Sequence, residues 1–284
     1  MIEQLESRRL LHAGIPAPSG VGAVQPALAA VADFNGDGQA DFLWRNYTTG
    51  ENFIQLVTVN GNSITRSAPI QLSPVANVQW KLIGAPDMNG DGKADLFWQN
   101  LQTGQISVWR MNGTAIAGVS QLVGIDRVKA GWRAAGFGDF DGDGKDDIVW
   151  RNYETLKISF WMMDGLRLKS ITTVPNTPAA NWALEGAADL TGDGRPDLLW
   201  RNYNTGANAI YRMHGTTIAG FFTIGTVGNG RQGWDLEGAA DFNSSGTRDL
   251  IFRNYLTGQV GAVFLGGANG ITNQGEAVLF TYIA

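Results

Sequence analysis

Short stretches in which apolar and polar residues alternate run along most of the chain. They are separated by Gly-containing turns such as Asn112-Gly113, Asp164-Gly165 and His214-Gly215. A period of two marks strands that bury one face, and Asn-Gly or Asp-Gly between two such stretches marks a hairpin. No stretch carries a convincing 3.6-residue period, so an all-β protein is expected.

The alternation is organised in five copies of one unit. Each copy carries an acidic segment: Asp33-Phe-Asn-Gly-Asp-Gly-Gln-Ala-Asp41, Asp87-Met-Asn-Gly-Asp-Gly-Lys-Ala-Asp95, Asp139-Phe-Asp-Gly-Asp-Gly-Lys-Asp-Asp147, Asp189-Leu-Thr-Gly-Asp-Gly-Arg-Pro-Asp197 and Asp241-Phe-Asn-Ser-Ser-Gly-Thr-Arg-Asp249. Their starts lie 54, 52, 50 and 52 residues apart. Seven residues before the first Asp stand Trp80, Trp132, Trp182 and Trp234, with Pro26 in the first copy. After the acidic segment an apolar run ends in Trp44-Arg45-Asn46, Trp98-Gln99-Asn100, Trp150-Arg151-Asn152, Trp200-Arg201-Asn202 or Phe252-Arg253-Asn254. Thr-Gly follows in four copies, at Thr49-Gly50, Thr103-Gly104, Thr205-Gly206 and Thr257-Gly258.

Each unit thus reads strand, acidic loop, strand, Thr-Gly turn, strand, Gly turn, strand. Four antiparallel strands in about 50 residues make one blade of a β-propeller. Five units counted from Pro26 use the chain to Ala284, so a closed five-bladed β-propeller of five ~52-residue four-stranded repeats is expected over residues 26–284. An open row of blades would leave sheet edges and apolar faces exposed. The stretch Ala277–Ala284 reads as a strand that fastens the ring. Residues 1–25 fall outside the repeat and read as a sorting or linker segment, Leu5-Glu-Ser-Arg-Arg-Leu-Leu11 followed by a Pro/Ala/Gly-rich stretch. That motif resembles short N-terminal motifs of some bacterial surface proteins, and no ordinary apolar signal core is present.

Composition narrows the chemistry. Of 284 residues 38 are Gly, near twice the ordinary share of about 7%. With no Cys there is no disulfide, thiolate metal site or cysteine nucleophile, and two His make imidazole-based centres improbable. Lys and Arg are dispersed, which argues against nucleic acid. No apolar run approaches the roughly 18 residues that span a bilayer, so no membrane insertion is expected.

The acidic loop has the pattern of a cation site. Side-chain oxygens stand at positions 1, 3, 5 and 9, and calcium takes six to eight oxygens at about 2.3–2.6 Å in a flexible cage. The expected ligands are Asp33, Asn35, Asp37 and Asp41 in the first loop, and Asp87, Asn89, Asp91 and Asp95 in the second. They are Asp139, Asp141, Asp143 and Asp147 in the third, Asp189, Thr191, Asp193 and Asp197 in the fourth, and Asp241, Asn243 and Asp249 in the fifth. A backbone carbonyl at position 7 completes the shell at Gln39, Lys93, Lys145 and Arg195. An EF-hand is excluded, because position 12 is Trp44, Trp98, Trp150, Trp200 or Phe252 where a bidentate Glu is required. The third loop, with four carboxylates, is expected to bind Ca2+ most tightly; the fifth, with Ser245 at position 5, is expected to be weak or empty. Fifteen of the 26 acids lie at these positions, so four bound ions change the formal charge from −5 to +3 and contribute folding free energy.

The acidic motif followed by an apolar run, Trp-Arg-Asn and Thr-Gly resembles FG-GAP/VCBS-type repeats, which include integrin head propellers and some fungal and bacterial lectins. The resemblance covers residues 26–284. It implies calcium in the loop joining the first two strands of each blade, and a non-catalytic recognition or adhesion module outside the cell or on its surface; a monomer is expected. The partner it implies is a carbohydrate or cell-surface ligand.

Residues that recur in every blade read as architecture: the Trp wedge between blades, and Asn46, Asn100, Asn152, Asn202 and Asn254 brace the following turn. Specificity is expected where the blades differ. Glu185 and Glu237 stand where the second and third units have Ile83 and Ala135, and both should line the central channel. A polysaccharide-acting enzyme using this pair is the alternative reading. A structural module of a surface assembly is a third.

Overall fold

In a computed structural model, residues 26–60, 63–174, 178–226, 233–242, 245–267 and 272–281 are described. The sorting or linker segment 1–25 and Asn243 lie outside them. Among the described residues every regular element is a strand, so no helix long and apolar enough to cross a membrane is present.

Five four-stranded antiparallel sheets are arranged as a ring. Blade 1 comprises Ala27–Ala32, Asp41–Arg45, Asn52–Gln55 and Ile70–Leu72, with a hairpin, Val57–Asn60 and Ser63–Arg66, inserted before its last strand. Blade 2 comprises Trp80–Gly84, Leu96–Asn100, Ile106–Asn112 and Ala115–Ser120. Blade 3 comprises Trp132–Gly138, Asp147–Asn152, Ile158–Asp164 and Arg167–Val174. Blade 4 comprises Trp182–Ala188, Asp197–Asn202, Ala207–His214 and Thr217–Thr226. Blade 5 comprises Trp234–Ala240, Asp249–Asn254, Gln259–Gly266 and Thr272–Thr281. The first strand of each blade touches the first strands of both neighbours, blade 5 meeting blade 1, so the ring is closed.

The closure differs from the expectation in one respect. The last strand pairs with Gln259–Gly266 of its own blade and not with blade 1. No described strand crosses between blades, and the ring is held by five apolar clusters, one per seam. At the seam between blades 5 and 1, Leu28, Phe42, Trp44 and Phe53 pack on Ala240, Phe242, Ile251 and Val260. Phe42 and Phe242 stack there with ring centroids 5.6 Å apart. Side-chain interdigitation at interior density supplies the cohesion that strand exchange would otherwise provide.

The recurring residues serve these seams. Trp80, Trp132, Trp182 and Trp234 each pack into the cluster shared with the preceding blade. Arg45, Arg151, Arg201 and Arg253 lie with their guanidinium carbons 4.9, 5.0, 5.4 and 4.7 Å from the rings of Trp98, Trp200, Phe252 and Trp44, each in the next blade. A guanidinium over an aromatic face away from water is a strong contact of its kind. At the remaining seam Gln99 donates to the Trp132 carbonyl at 2.9 Å and accepts from the Ala134 N–H at 3.1 Å. Each recurring Asn accepts two backbone N–H groups of the turn after it, as Asn100 Oδ1 does from Gln102 and Thr103, both at 3.0 Å.

The Gly of the Thr-Gly turn is required by a close approach. At Gly104, where φ is +74°, an added Cβ would lie 2.2 Å from the Val128 carbonyl oxygen of the passing chain. Blade 3 has Leu156 at this position, held at φ 60°, the one non-glycine residue with positive φ among those described.

Candidate functional site

The acidic loops and the central channel occupy opposite ends of the ring. In blade 3 Gly138 pairs with Asp147 beside the loop, whereas Trp132 pairs with Asn152 at the far end.

Position 1 organises every loop from within. Asp33, Asp87, Asp139, Asp189 and Asp241 accept the N–H of the Gly at position 6 at 2.7, 2.7, 2.8, 2.9 and 2.8 Å. Those glycines adopt φ near +80°, which a side chain would resist. The position 7 side chains point away from the loop centre: Gln39 accepts the Val59 N–H at 2.5 Å, Lys93 donates to Asn112 at 2.6 Å, and Lys145 pairs with Asp164. Their backbone carbonyls are the groups the loop pattern assigned to a cation.

Position 9 has a second role that the sequence did not disclose. Asp41, Asp95, Asp147, Asp197 and Asp249 are fully buried. One oxygen of each accepts the N–H of Val57, just past the third strand of blade 1, or of Met111, Met163, Met213 or Leu265, within the third strand of its blade, at 2.9, 2.9, 2.7, 2.9 and 3.1 Å. In the first, third, fourth and fifth loops the other oxygen accepts from position 2, as Asp147 does from Phe140 at 2.9 Å. Burial holds the carboxyls of Asp95 and Asp147 protonated up to about 6, and raises those of Asp41 and Asp197.

In the third loop, carboxylate oxygens of Asp139, Asp141 and Asp147 lie within 4.8 Å of one another, the sole such acidic group among the described residues. Lys169, from the outer strand of blade 3, places its ammonium 2.6 Å from Asp141 and 2.7 Å from Asp143. That contact holds the Asp143 carboxyl below the usual carboxylate range.

At the opposite end the channel opens as a pocket lined from all five blades. Glu185 and Glu237 both line it. Each of the five first strands carries a β-bulge at the equivalent position, with pairing slipping between Leu184 and Gly186 and between Leu236 and Gly238. A bulged residue leaves the ladder and its side chain is re-aimed. The Tyr255 hydroxyl donates to Glu237 at 2.6 Å, and burial together with that carboxylate raises the phenol well above its ordinary value.

The pocket also contains residues that sequence reasoning passed over. Lys81, Arg133 and Asp235 stand immediately after the blade Trp, where blades 1 and 4 have Ala27 and Ala183. Tyr203 donates its hydroxyl to Asp235, and Lys81 Nζ lies 4.0 Å over the Tyr47 ring. Tyr47, Tyr153 and Tyr255, each following the recurring Asn, complete the wall. The signal was available: difference between blades singled out the position of Glu185, and the same test two residues earlier finds Lys81, Arg133 and Asp235.

Comparison with known families decides the assignment. A model described as FG-GAP-like repeat matches residues 87–150, 139–200 and 189–252, and one described as FG-GAP repeat matches 26–61. The chain belongs to the FG-GAP repeat family.

Comparison with curated proteins found no match. Among solved structures, this FG-GAP propeller is similar to a chain of a nidogen/laminin complex at 14% identity, over 90% of this chain and 81% of that one, with a TM-score of 0.46. It is also similar to the V. cholerae biofilm matrix protein Bap1 at 15% identity, over 90% of this chain and 43% of that one, with a TM-score of 0.30. A Bacillus licheniformis rhamnogalacturonan lyase, PL11, is 16% identical over 92% of this chain and 69% of that one, with a TM-score of 0.33.

The FG-GAP loops fit calcium unequally. Oxygens bound to one Ca2+ at about 2.3–2.6 Å lie at most about 5.2 Å apart. Asp139, Asp141 and Asp147 meet that limit. In the first two loops the Asn35 and Asn89 amides donate to Asp37 and Asp91 at 2.9 and 3.2 Å, so their position 3 and 5 side chains already bond each other. When bound, the ion would cross-link loop and strand electrostatically and offset the repulsion of the clustered acids.

Proposed function

We propose that this FG-GAP propeller is a non-catalytic, calcium-stabilised recognition module, working outside the cell or at its surface, that binds carbohydrate in the axial pocket. One observation carries the reading. The recurring Trp, Arg, Asn and acidic-loop residues are occupied in seams, turns and loops, whereas the charged residues that differ between blades converge on the pocket beside the tyrosines that follow the recurring Asn. A concave site with aromatic walls and a few charged groups is what a polar, ring-shaped ligand requires. Tyr47 and Tyr153 supply aromatic wall, and Glu185, Asp235 and Glu237 supply acceptors for hydroxyl groups.

A glycan array probed with the calcium-loaded protein tests it. The expected result is selective binding that weakens in a Tyr47→Ala variant, with every bound glycan recovered intact. Absence of binding to any glycan would overturn the reading. Cleavage products that disappear in Glu185→Gln and Glu237→Gln variants would replace it with an enzymatic one.

A further inference from the structure

The charges around the axial pocket are sided. The cations Lys81 and Arg133 come from blades 2 and 3, and the carboxylates Asp235, Glu237 and Glu185 from blades 4 and 5. The carboxylates Asp235 and Glu237 accept tyrosine hydroxyls within the wall. The ammonium of Lys81 has a different environment: among the described residues it has the Tyr47 ring at 4.0 Å and no hydrogen-bond acceptor. Burial, with Arg45 adding to it, lowers this lysine to about 8, so an anion beside it would be favoured on both counts.

The pocket continues into a groove. A second cavity over the seam between blades 2 and 3 shares Leu101, Arg133 and Tyr153 with the first, and adds Arg127, Lys129 and Glu154. Arg127, Lys129 and Glu154 are exposed. A basic track therefore leads from the axis outward along the seam between blades 2 and 3.

We propose that the ligand is an acidic polysaccharide, a chain of uronate-bearing sugars whose terminal or kinked unit places its carboxylate on Lys81 and Arg133 while the chain runs out past Arg127 and Lys129. This rests on the carbohydrate reading above and names the class of sugar. The bound unit lies against the tyrosine wall, and its hydroxyls face the acids of blades 4 and 5. A neutral sugar would leave the Lys81 ammonium without an acceptor, and a purely anionic ligand with no hydroxyl donors would be repelled by the carboxylates opposite.

Calorimetric titration with oligogalacturonates of increasing length, and with the same oligomers after carboxyl reduction, tests this. Free calcium is held fixed, since uronates chelate it. Affinity should rise with length over the first few sugars, and carboxyl reduction should cost on the order of tenfold or more. Lys81→Met should remove most of that discrimination. An Arg127→Gln/Lys129→Gln variant should flatten the length dependence while the shortest ligand binds as before. Equal binding of reduced and unreduced oligomers overturns the proposal, as does equally tight binding of inorganic polyphosphate. If neutral glycans bind and uronates do not, the charge assignment fails while the carbohydrate reading stands. If no glycan binds, the carbohydrate reading itself fails.

Discussion

The guanidinium of Arg253, in the last blade, lies 4.7 Å from the centre of the Trp44 indole in the first. The two residues are distant in sequence, and their contact sits at the one seam where no peptide chain connects neighbouring blades. Arg253 is itself fully buried. Replacing it with Met keeps the volume but loses the contacts of the cation with the Trp44 and Tyr255 rings. The expected cost is about 2 kcal/mol, read as a lowered denaturation midpoint, with the Arg253→Lys variant intermediate. An unchanged midpoint would remove the seam role.

Leu156 predicts a gain from substitution. A non-glycine residue in the left-handed region costs roughly 1–2 kcal/mol, and its four counterparts Gly50, Gly104, Gly206 and Gly258 avoid that cost. Part of that relief is lost to the greater freedom of glycine in the unfolded chain. Leu156→Gly should therefore raise stability by up to about 1 kcal/mol. The reverse change, Gly104→Ala, meets the Val128 carbonyl at 2.2 Å and should destabilise by about 2 kcal/mol or more. Thermal melts of the two variants should move in opposite directions.

Calcium should stabilise the fold by mass action, by about 2.7 kcal/mol per site at a hundredfold excess over the dissociation constant. The melting temperature is expected to fall on chelation, and most of that response should vanish in Asp139→Asn. Lys169 competes with the ion for Asp141 and Asp143. Lys169→Met should therefore tighten calcium binding severalfold in a direct titration. Weaker binding in that variant would show that the lysine supports the site.

The pH response of the metal-free protein follows from Asp95 and Asp147, which stay protonated in the fold up to about 6. In the unfolded chain an aspartate releases its proton near 4. Between these values the native state binds more protons, so stability contributed by these groups is present below about 4 and is lost as pH rises through about 6. Saturating calcium replaces the proton and should flatten or reverse the slope. Urea unfolding in chelator at successive pH values, repeated with calcium, measures both.

Repetition made the fold readable. A Trp, an Arg or an Asn that recurs at one place in every unit has one structural duty, and the seams and turns show those duties at Arg45, Arg151 and Asn100. The buried part of the acidic loop was less legible. Position 9 looks like a ligand in the sequence, and only the folded chain reveals that Asp147 also ties the loop to Met163. The pocket was legible by half. Glu185 and Glu237 were found because they break the repeat, but the bulge that turns them is a matter of strand pairing. The last strand was misread as a fastener because an edge strand and a ring-closing strand have the same alternation; which partner it takes depends on the hairpin before it.

Every blade is one unbroken piece of chain, and no described strand is lent from one blade to another. The five seams are alike in being apolar clusters between neighbouring blades, and the one without a covalent link also lacks the Trp that Pro26 replaces. A gene recut between any two blades, with the old ends joined by a short linker, would encode the same ring. Circular permutation is therefore a route by which the acidic loops and the axial wall can be presented from new termini.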